Sequence, residues 1–313
     1  MSDVVVRGVP MGYIFGPVPS RRLGLSLGVD LIPSKTCSYD CLYCQVGRTT
    51  QKVATPETFA PIDEVIRQLK EVLKGVKPDY VTLSGSGEPT LHSGIDRVIS
   101  FVKGFTDLRA AVISNGSLFW RREVREKVLG AHLIMPTLST AFEGTFRAIH
   151  RPHSDLSLSR IIGGLRALRE SYTGLLYLEV MLLAGLNDSQ EEIEALKREI
   201  DSISPDRIHL NTVARPPADA RALSLDRQRL EDIKTFFGPK AEVIADLSYR
   251  RERPEPGSLD AAIVEMARRR PVRTADAANA LNRSLDEVEG VIRELVKTGT
   301  LSGREHLGET YYS

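Results

Sequence analysis

The sequence has little of what marks secreted, membrane-spanning or strongly charged proteins. Its 313 residues include only three cysteines and one tryptophan, and 42 Lys and Arg balance 41 Asp and Glu. The balance excludes a global positive field that would attract nucleic acid or anionic membranes. No stretch approaches the roughly 18 apolar residues of a membrane helix, and no secretory signal opens the chain, so we expect a cytoplasmic protein without membrane partners. Hydrophobic residues, at 42%, are typical of globular domains.

The first two thirds of the sequence alternate short β-branched runs with amphipathic helical stretches. This pattern is typical of βα units around a parallel sheet, and six such units predict an α/β fold, a partial (βα)6 TIM-like barrel, over residues 1 to 252. A doubly wound open sheet stays possible, because strand order cannot be derived from one sequence. The strands are predicted over residues 25 to 32, 80 to 84, 110 to 114, 132 to 138, 175 to 183 and 207 to 213.

Two of the intervening helices have clear boundaries in the sequence. One is predicted over residues 61 to 74, where apolar residues recur at helical spacing behind Pro61. Another is expected to begin near Asp188, with Glu191 three residues later as a capping-box partner.

A second, smaller domain is predicted at the C-terminal end. Charges, prolines and a glycine are typical of a linker, placed at residues 253 to 257. Three helices and a two-stranded wing then predict a winged helix-turn-helix domain over residues 258 to 313. Its helices are expected at 259 to 269, at 274 to 281, and from a Ser284 to Glu287 capping box up to Gly299, with the hairpin turning between Gly303 and Gly308.

The charge of this domain argues against duplex DNA as its partner. Residues 258 to 313 carry eight Lys and Arg against nine Asp and Glu, and carboxylates crowd the start of the third helix. A helix that enters the major groove needs the opposite charge. Only residues 268 to 273 form a basic cluster. We therefore expect substrate docking, a protein contact or a packing role.

The three cysteines carry the clearest chemical signal. Cys37, Cys41 and Cys44 form a C-x3-C-x2-C loop directly after the first predicted strand, so one loop can bring three thiolates to one metal centre. Soft thiolates select zinc or iron-sulfur clusters. A structural Cys3His zinc site would need one of the six histidines, and none stands at a usual nearby spacing.

This loop resembles the cluster motif of the radical S-adenosylmethionine (SAM) enzymes, including the aromatic Tyr43 before the last cysteine. The resemblance implies that three cysteines hold a 4Fe-4S cluster whose fourth iron takes the amino and carboxylate groups of SAM. It further implies reductive cleavage of SAM to methionine and a 5'-deoxyadenosyl radical that abstracts hydrogen from a substrate. The resemblance also implies that the protein is sensitive to oxygen and that it needs an external one-electron donor such as a flavodoxin or ferredoxin.

Later strand ends extend the resemblance. Residues 84 to 90 are similar to the family's Gly-Gly-Glu element, and the third and fourth strands end in polar residues that resemble its cofactor contacts. Simple turns, and an ion pair of Glu179 with an interior arginine, are the structural alternatives. The predicted cofactor-binding residues are Tyr43, Ser86, Gly87, Glu88, Ser114, Asn115, Ser139, Glu179 and Asn211.

The substrate is not determined by these motifs. Residues 15 to 24 and 145 to 152 resemble the branch that contains the wyosine-base synthases of transfer RNA, yet no cysteine remains for a second cluster, which argues against wyosine synthesis itself. Arg21, Arg22, His209 and Arg215 are predicted to face the substrate; solvated arginines and a core histidine are the alternatives.

Three functions stay open at this stage. The first is hydrogen abstraction from an unidentified metabolite, peptide or RNA. The second is modification of a transfer-RNA base or a ribosomal peptide, with the winged helix docking the substrate. The third is a non-catalytic, metal-stabilised regulator that binds nucleic acid.

Overall fold

Twelve strands lie in the part of the chain that a computed structural model describes, residues 12–20, 22–105, 107–245, 259–281 and 283–313. Eight of them form one sheet, and the other four form two small ribbons. In chain order they are β1 (Ile14–Ser20), β2 (Gly24–Val29), β3 (Thr36–Cys37), β4 (Gln51–Lys52), β5 (Tyr80–Leu83), β6 (Arg109–Ser114), β7 (Leu133–Pro136), β8 (Leu175–Leu182), β9 (Arg207–Thr212), β10 (Ala241–Val243), β11 (Gly303–His306) and β12 (Glu309–Tyr312).

The large sheet is mostly parallel and follows the order of the chain. Its strands run β1-β2-β5-β6-β7-β8-β9-β10, with β1 antiparallel to β2 and every other neighbouring pair parallel. A doubly wound sheet reverses its strand order at a switch point, and this sheet does not. The six predicted strands are confirmed as β2 and β5 to β9, in a sheet that fits a partial TIM-like barrel.

Two edge strands were not predicted. β1 contains a glycine and two prolines, residues that are depleted in strands, and β10 is only three residues long. Both lie at an edge of the sheet, where proline is tolerated because one side of the strand needs no ladder hydrogen bonds.

Helices alternate with the strands and cover the sheet. In chain order they are α1 (Ile62–Val72), α2 (Ile95–Lys103), α3 (Arg122–Val128), α4 (Glu143–His150), α5 (Leu158–Ser171), α6 (Gln190–Ile203), α7 (Arg227–Phe237), α8 (Leu259–Arg269), α9 (Thr274–Leu281) and α10 (Leu285–Lys297), with a single 3-10 turn over Pro89–Leu91. The helix predicted over residues 61 to 74 is α1, and its buried Ile62, Val65 and Leu69 face the core. In the described ranges no helix is both long and apolar enough to cross a bilayer.

Helix α6 begins near Asp188, as predicted, and the residue that caps it is Ser189. Ser189, with extended backbone, caps the helix by accepting a hydrogen bond from the backbone N–H of Glu192 at 3.2 Å. Asp188 instead accepts a hydrogen bond from the N–H of Gly185. Two adjacent residues can both act as caps, and the backbone conformation decides between them.

Residues 259–313, called here the C-terminal segment, have a buried cluster of their own. Helices α8 to α10 pack around Ile263, Val272 and Val288 among others, and β11 pairs with β12 in an antiparallel hairpin. Ser284 caps α10 as predicted, accepting from the N–H of Glu287 at 3.2 Å. The predicted linker falls outside the described residues.

This segment contacts both ends of the open barrel. Helices α8 and α9 contact β1 at the first edge. At the other end, the hairpin reaches the backbone that follows β9: the Tyr311 hydroxyl donates to the carbonyl of Ala214 at 2.7 Å, and His306 Nε2 lies 3.2 Å from the carbonyl oxygen of Val213. The C-terminal segment therefore contacts the edge strand β1 and the backbone that follows β9.

Candidate functional site

The cysteine loop, residues 35–45, lies at the carboxyl edge of the parallel strands, where barrels carry their active sites. It begins after β2, enters the short β3–β4 ribbon at Cys37 and docks on α4. The N–H groups of Asp40 and Leu42 donate to the carbonyls of His150 and Ile149 at 3.0 and 2.9 Å. The loop is therefore held by backbone hydrogen bonds to the barrel.

Cys37 lies in a buried polar environment. The side-chain amide of Asn115 donates to Cys37 Sγ at 3.6 Å and to Ser38 Oγ at 2.8 Å, and Ser38 Oγ lies 2.7 Å from Ser117 Oγ. Burial, and then the charge of Glu88, raises the pKa of the Cys37 thiol to about 12. Asn115, predicted for the cofactor, thus touches a predicted cluster ligand.

Cys41 has a histidine neighbour that the sequence analysis did not identify. His150 Nδ1, in α4, lies 3.4 Å from Cys41 Sγ and 3.3 Å from the hydroxyl of Tyr43. Burial lowers the pKa of His150 to about 3, so the ring is neutral. His150 is 109 residues away in sequence, and the only signal for it was its position inside the segment 145 to 152 that carried the family resemblance.

The arrangement fits a cluster better than a single metal ion. Within the described ranges, no three His, Cys, Asp or Glu side chains converge on one ion position, as a Cys3His zinc site requires. A 4Fe-4S cluster spreads its ligands over separate irons, and three thiols from one loop leave its fourth iron open.

The turn after β5 packs directly on the start of the cysteine loop. A Cβ atom on Gly87 would lie 2.0 Å from the carbonyl oxygen of Thr36, so only glycine fits. The carbonyl of Ser86 accepts from the N–H of Lys35 at 3.2 Å, and its hydroxyl donates to Asp30 at 2.6 Å. Ser86 and Gly87 therefore lie against the cysteine loop; their role in binding the cofactor stays a prediction.

Glu88 acts as an organising carboxylate rather than a free ligand. Its Oε1 accepts from the N–H and hydroxyl of Thr90 and the hydroxyl of Ser114, and its Oε2 accepts from the N–H of Asn115 at 2.6 Å. Burial raises the pKa of Glu88, against the hydrogen bonds that lower it. The carboxyl group ties the ends of β5 and β6 together and orients Asn115.

The barrel interior holds a second polar group of residues. Glu179 on β8 accepts from Arg22 Nη1 at 2.6 Å and from Asn211 Nδ2 at 2.8 Å, so the ion pair with an interior arginine is the arrangement in the structure. His209 Nε2 lies 2.7 Å from Glu242, and its ring packs edge-on against Tyr177. Among the described residues, the buried Nδ1 of His209 has no hydrogen-bond partner.

The remaining predicted residues have different surroundings. Ser139 is buried, and its hydroxyl accepts from the N–H of Met181 at 3.1 Å. Arg215 is only 8% exposed, so the solvated alternative is wrong for it: it donates to Gln45 in the cysteine loop at 3.4 Å and lies 3.6 Å from Asp276 in the C-terminal segment. Arg21 falls outside the described residues.

Comparison with known proteins agrees with this geometry. The family model of the Radical SAM superfamily matches residues 31–200. A UPF0026 protein of Methanocaldococcus jannaschii is 32% identical over 96% of both chains, and a Brachyspira hyodysenteriae protein named GTPase Obg is 35% identical over 93% of this chain. This chain spans only 43% of the Brachyspira protein. A solved structure, TYW1 with a lysine-pyruvate adduct bound, shares the fold at a TM-score of 0.53 and 19% identity, over 71% of this chain and 75% of that one.

The chain therefore belongs to the Radical SAM superfamily and, within it, to the UPF0026 family. It is a radical SAM enzyme, and the cofactors of that class are a 4Fe-4S cluster and SAM. Cys37, Cys41 and Cys44 are the residues that fit the cluster.

Proposed function

We propose that the protein cleaves SAM reductively and abstracts hydrogen from a substrate bound inside the barrel. When bound, the cluster supplies the electron that splits the sulfonium into methionine and a 5'-deoxyadenosyl radical. The observation that carries this proposal is the loop of Cys37, Cys41 and Cys44, docked by backbone hydrogen bonds at the carboxyl edge of the sheet.

The residues around the loop orient the cofactors. Gly87 lets the turn after β5 approach the loop, and Glu88 holds the backbone of Asn115, whose amide hydrogen-bonds Cys37. Hydrogen bonds to a cluster sulfur raise the reduction potential of the cluster, so Asn115 both places and tunes this ligand. Tyr43 and Ser139 belong to the same proposed cofactor pocket, together with Ser86, Ser114, Glu179 and Asn211.

The polar group inside the barrel is the proposed substrate region. Arg22 and Glu179 form a mostly buried pair, and His209 presents a buried nitrogen without a partner in the described part of the chain. A buried polar atom without a hydrogen bond is costly, and a polar group of a substrate would satisfy it. Arg21, which lies outside the described residues, is included in the proposed substrate region on the sequence evidence alone. The substrate is a metabolite, peptide or RNA.

The C-terminal segment is proposed to be a separate winged-helix domain at residues 258 to 313, after a barrel domain at 1 to 252. Its separate buried cluster supports this division. The hairpin that would be its wing contacts the barrel through His306 and Tyr311, which leaves this surface unavailable to DNA. The regulator that binds duplex DNA is therefore disfavoured. A cytoplasmic location is part of the same proposal.

Anaerobic reconstitution tests the function. The protein is loaded with iron and sulfide, reduced in the presence of SAM, and assayed for 5'-deoxyadenosine by chromatography. We expect about four irons per chain and 5'-deoxyadenosine that disappears in Cys41→Ala. Thr50→Ala, an exposed position after the same loop, is the matched control and should retain both. One zinc per chain with no cofactor cleavage would refute the proposal.

A further inference from the structure

A cleft of about 310 Å³ opens beside the cysteine loop, between the loop and the C-terminal segment. Cys44 lines it, whereas Cys37 and Cys41 contact Asn115 and His150 inside the protein. The side chains that carry its chemistry are Lys35 and Cys44 from the loop and Arg268, Arg270 and Arg304 from the C-terminal segment. No aspartate or glutamate is among the described residues that line the cleft.

Arg268 and Arg304 of this cleft differ from several other basic residues of the C-terminal segment. Elsewhere in that segment basic side chains pair with carboxylates, as in Arg273 with Asp276, Arg283 with Glu287, Arg293 with Glu289 and Lys297 with Glu294. Within the described ranges, Lys35, Arg268 and Arg304 have no ion-pair partner. Like charges gathered on a concave surface repel one another and favour an anionic partner.

Lys35 is held at this place by the backbone. Its φ of 64° is left-handed, a conformation that non-glycine residues keep only when their surroundings impose it. Its N–H donates to the carbonyl of Ser86, and its own carbonyl accepts from Thr50 and Gln51. Gly47 makes room for the ammonium group, since a Cβ there would lie 2.4 Å from Lys35 Nζ. Lys35 thus brings a positive charge to the cleft that Cys44 also lines.

We propose that this cleft is the docking site of an acidic one-electron donor protein. The inference rests on the proposed function, because it supplies the electron which that function consumes. The donor is oxidised by one electron and the cluster is reduced by one; no bond is made and no group is transferred between the two proteins. Cys44 at the cleft is the ligand nearest to such a partner, which favours a redox protein over a nucleic acid.

Complementary charge accelerates the encounter of two proteins and suits the small, transient interfaces of electron transfer. Contributions from both the loop and the C-terminal segment mean that the docking site exists only when the segment is seated on the barrel. The C-terminal segment would therefore recruit the reductant rather than bind DNA.

Stopped-flow reduction of the holoprotein by flavodoxin hydroquinone tests this proposal. We expect the double variant Arg268→Gln/Arg304→Gln to be reduced about 10-fold more slowly at low ionic strength, with the difference vanishing at high salt. Lys35→Gln should act in the same direction. The double variant Arg122→Gln/Arg293→Gln removes the same charge from exposed sites elsewhere and should be reduced at the normal rate.

Two further measurements separate this proposal from the proposed function. The affinity of oxidised flavodoxin for the holoprotein, measured by calorimetry, should fall in the cleft variants and not in the control. With titanium(III) citrate as reductant, Arg268→Gln/Arg304→Gln should form 5'-deoxyadenosine normally; loss of that product in every protein would refute the proposed function instead.

Three results would overturn the docking site. The first is equal slowing of reduction in the cleft variants and the control variant. The second is that neither flavodoxin nor ferredoxin reduces the unaltered protein although titanium(III) citrate does. The third is that the cleft variants lose affinity for single-stranded RNA while flavodoxin reduces them at the normal rate. The last would make the cleft a nucleic-acid site.

Discussion

The two sides of the cysteine loop are built on opposite principles. On the Cys37 side, Asn115 and Glu88 form a buried network in which each carboxylate oxygen has a donor. On the Cys44 side, Lys35, Arg268 and Arg304, which have no carboxylate partner in the described part of the chain, face an open cleft shared with the C-terminal segment. One short loop thus contacts a buried hydrogen-bond network on one side and a cationic cleft on the other.

The difference predicts which measurements respond to changes on each side. When the partner of a buried polar group is removed, the cost of taking that group out of water is no longer compensated by a hydrogen bond. Changes on the Cys37 side should therefore lower stability and iron binding. Exposed charges contribute little to stability, so changes on the Cys44 side should alter association rates and salt dependence.

The largest effect is expected for Gly87→Ala on the Cys37 side. The new methyl group meets the Thr36 carbonyl at 2.0 Å, a backbone atom that cannot move without displacing the start of the loop. We expect iron content after reconstitution to fall almost completely and the free energy of unfolding in urea to drop by about 3 kcal/mol. Gly75→Ala, where no atom lies within 4 Å of the new methyl group, should change neither.

Glu88→Ala should be nearly as severe. It leaves the hydroxyl of Ser114 and the N–H groups of Thr90 and Asn115 without their acceptor in a buried site. We expect a loss of about 2 to 3 kcal/mol in urea unfolding and weaker iron binding, because Asn115 is no longer held. Glu88→Gln keeps one acceptor oxygen and should be milder. Equal stability of Glu88→Ala and the unaltered protein would contradict the organising role.

An intermediate, pH-dependent effect is expected at His209. Burial, and then the positive charge of Arg22, lowers the pKa of His209 in the folded protein. The unfolded chain therefore binds a proton more readily below pH 6.5, so the stabilising contribution is present above that pH and is lost as pH falls. The slope is at most about 1.4 kcal/mol per pH unit. Urea titrations from pH 7 to 5 should show a flatter dependence for His209→Phe; parallel curves would be the contrary result.

The smallest effect is expected at Asp276, which pairs with Arg215 where the C-terminal segment meets the barrel. Burial opposes ionisation of Asp276, but the hydrogen bond from Arg273 and the charges of Arg215 and Arg273 outweigh it and lower the pKa. Its contribution is therefore present above about pH 4 and lost as pH falls further. Asp276→Asn should cost about 1 kcal/mol at pH 7 and increase hydrogen exchange in the hairpin. Asp286→Asn, an exposed position, should leave the exchange unchanged.

Features encoded over short stretches of chain were predicted well. Apolar periodicity located the six central strands and α1, and the Ser284 capping box placed the start of α10. The edge strands β1 and β10 were not predicted, because proline and glycine in β1 and the short length of β10 weaken the strand signal in the sequence. Their pairing in the sheet is what identifies them as strands. Asp188 and Ser189 are both suitable residue types for the cap of α6, and the backbone conformation makes Ser189 the cap.

The sequence by itself determined that three thiols lie within eight residues, and this spacing is the reason that Cys37, Cys41 and Cys44 are the proposed cluster ligands. Only the tertiary structure decided what surrounds them. Arg22 meets Glu179 across 157 residues, His150 meets Cys41 across 109, and Arg215 joins the loop to the C-terminal segment. Such contacts depend on how the barrel closes and how the segment seats, and neither leaves a local pattern in the sequence. The cationic cleft beside Cys44 exists for the same reason, since its charges come from both ends of the chain.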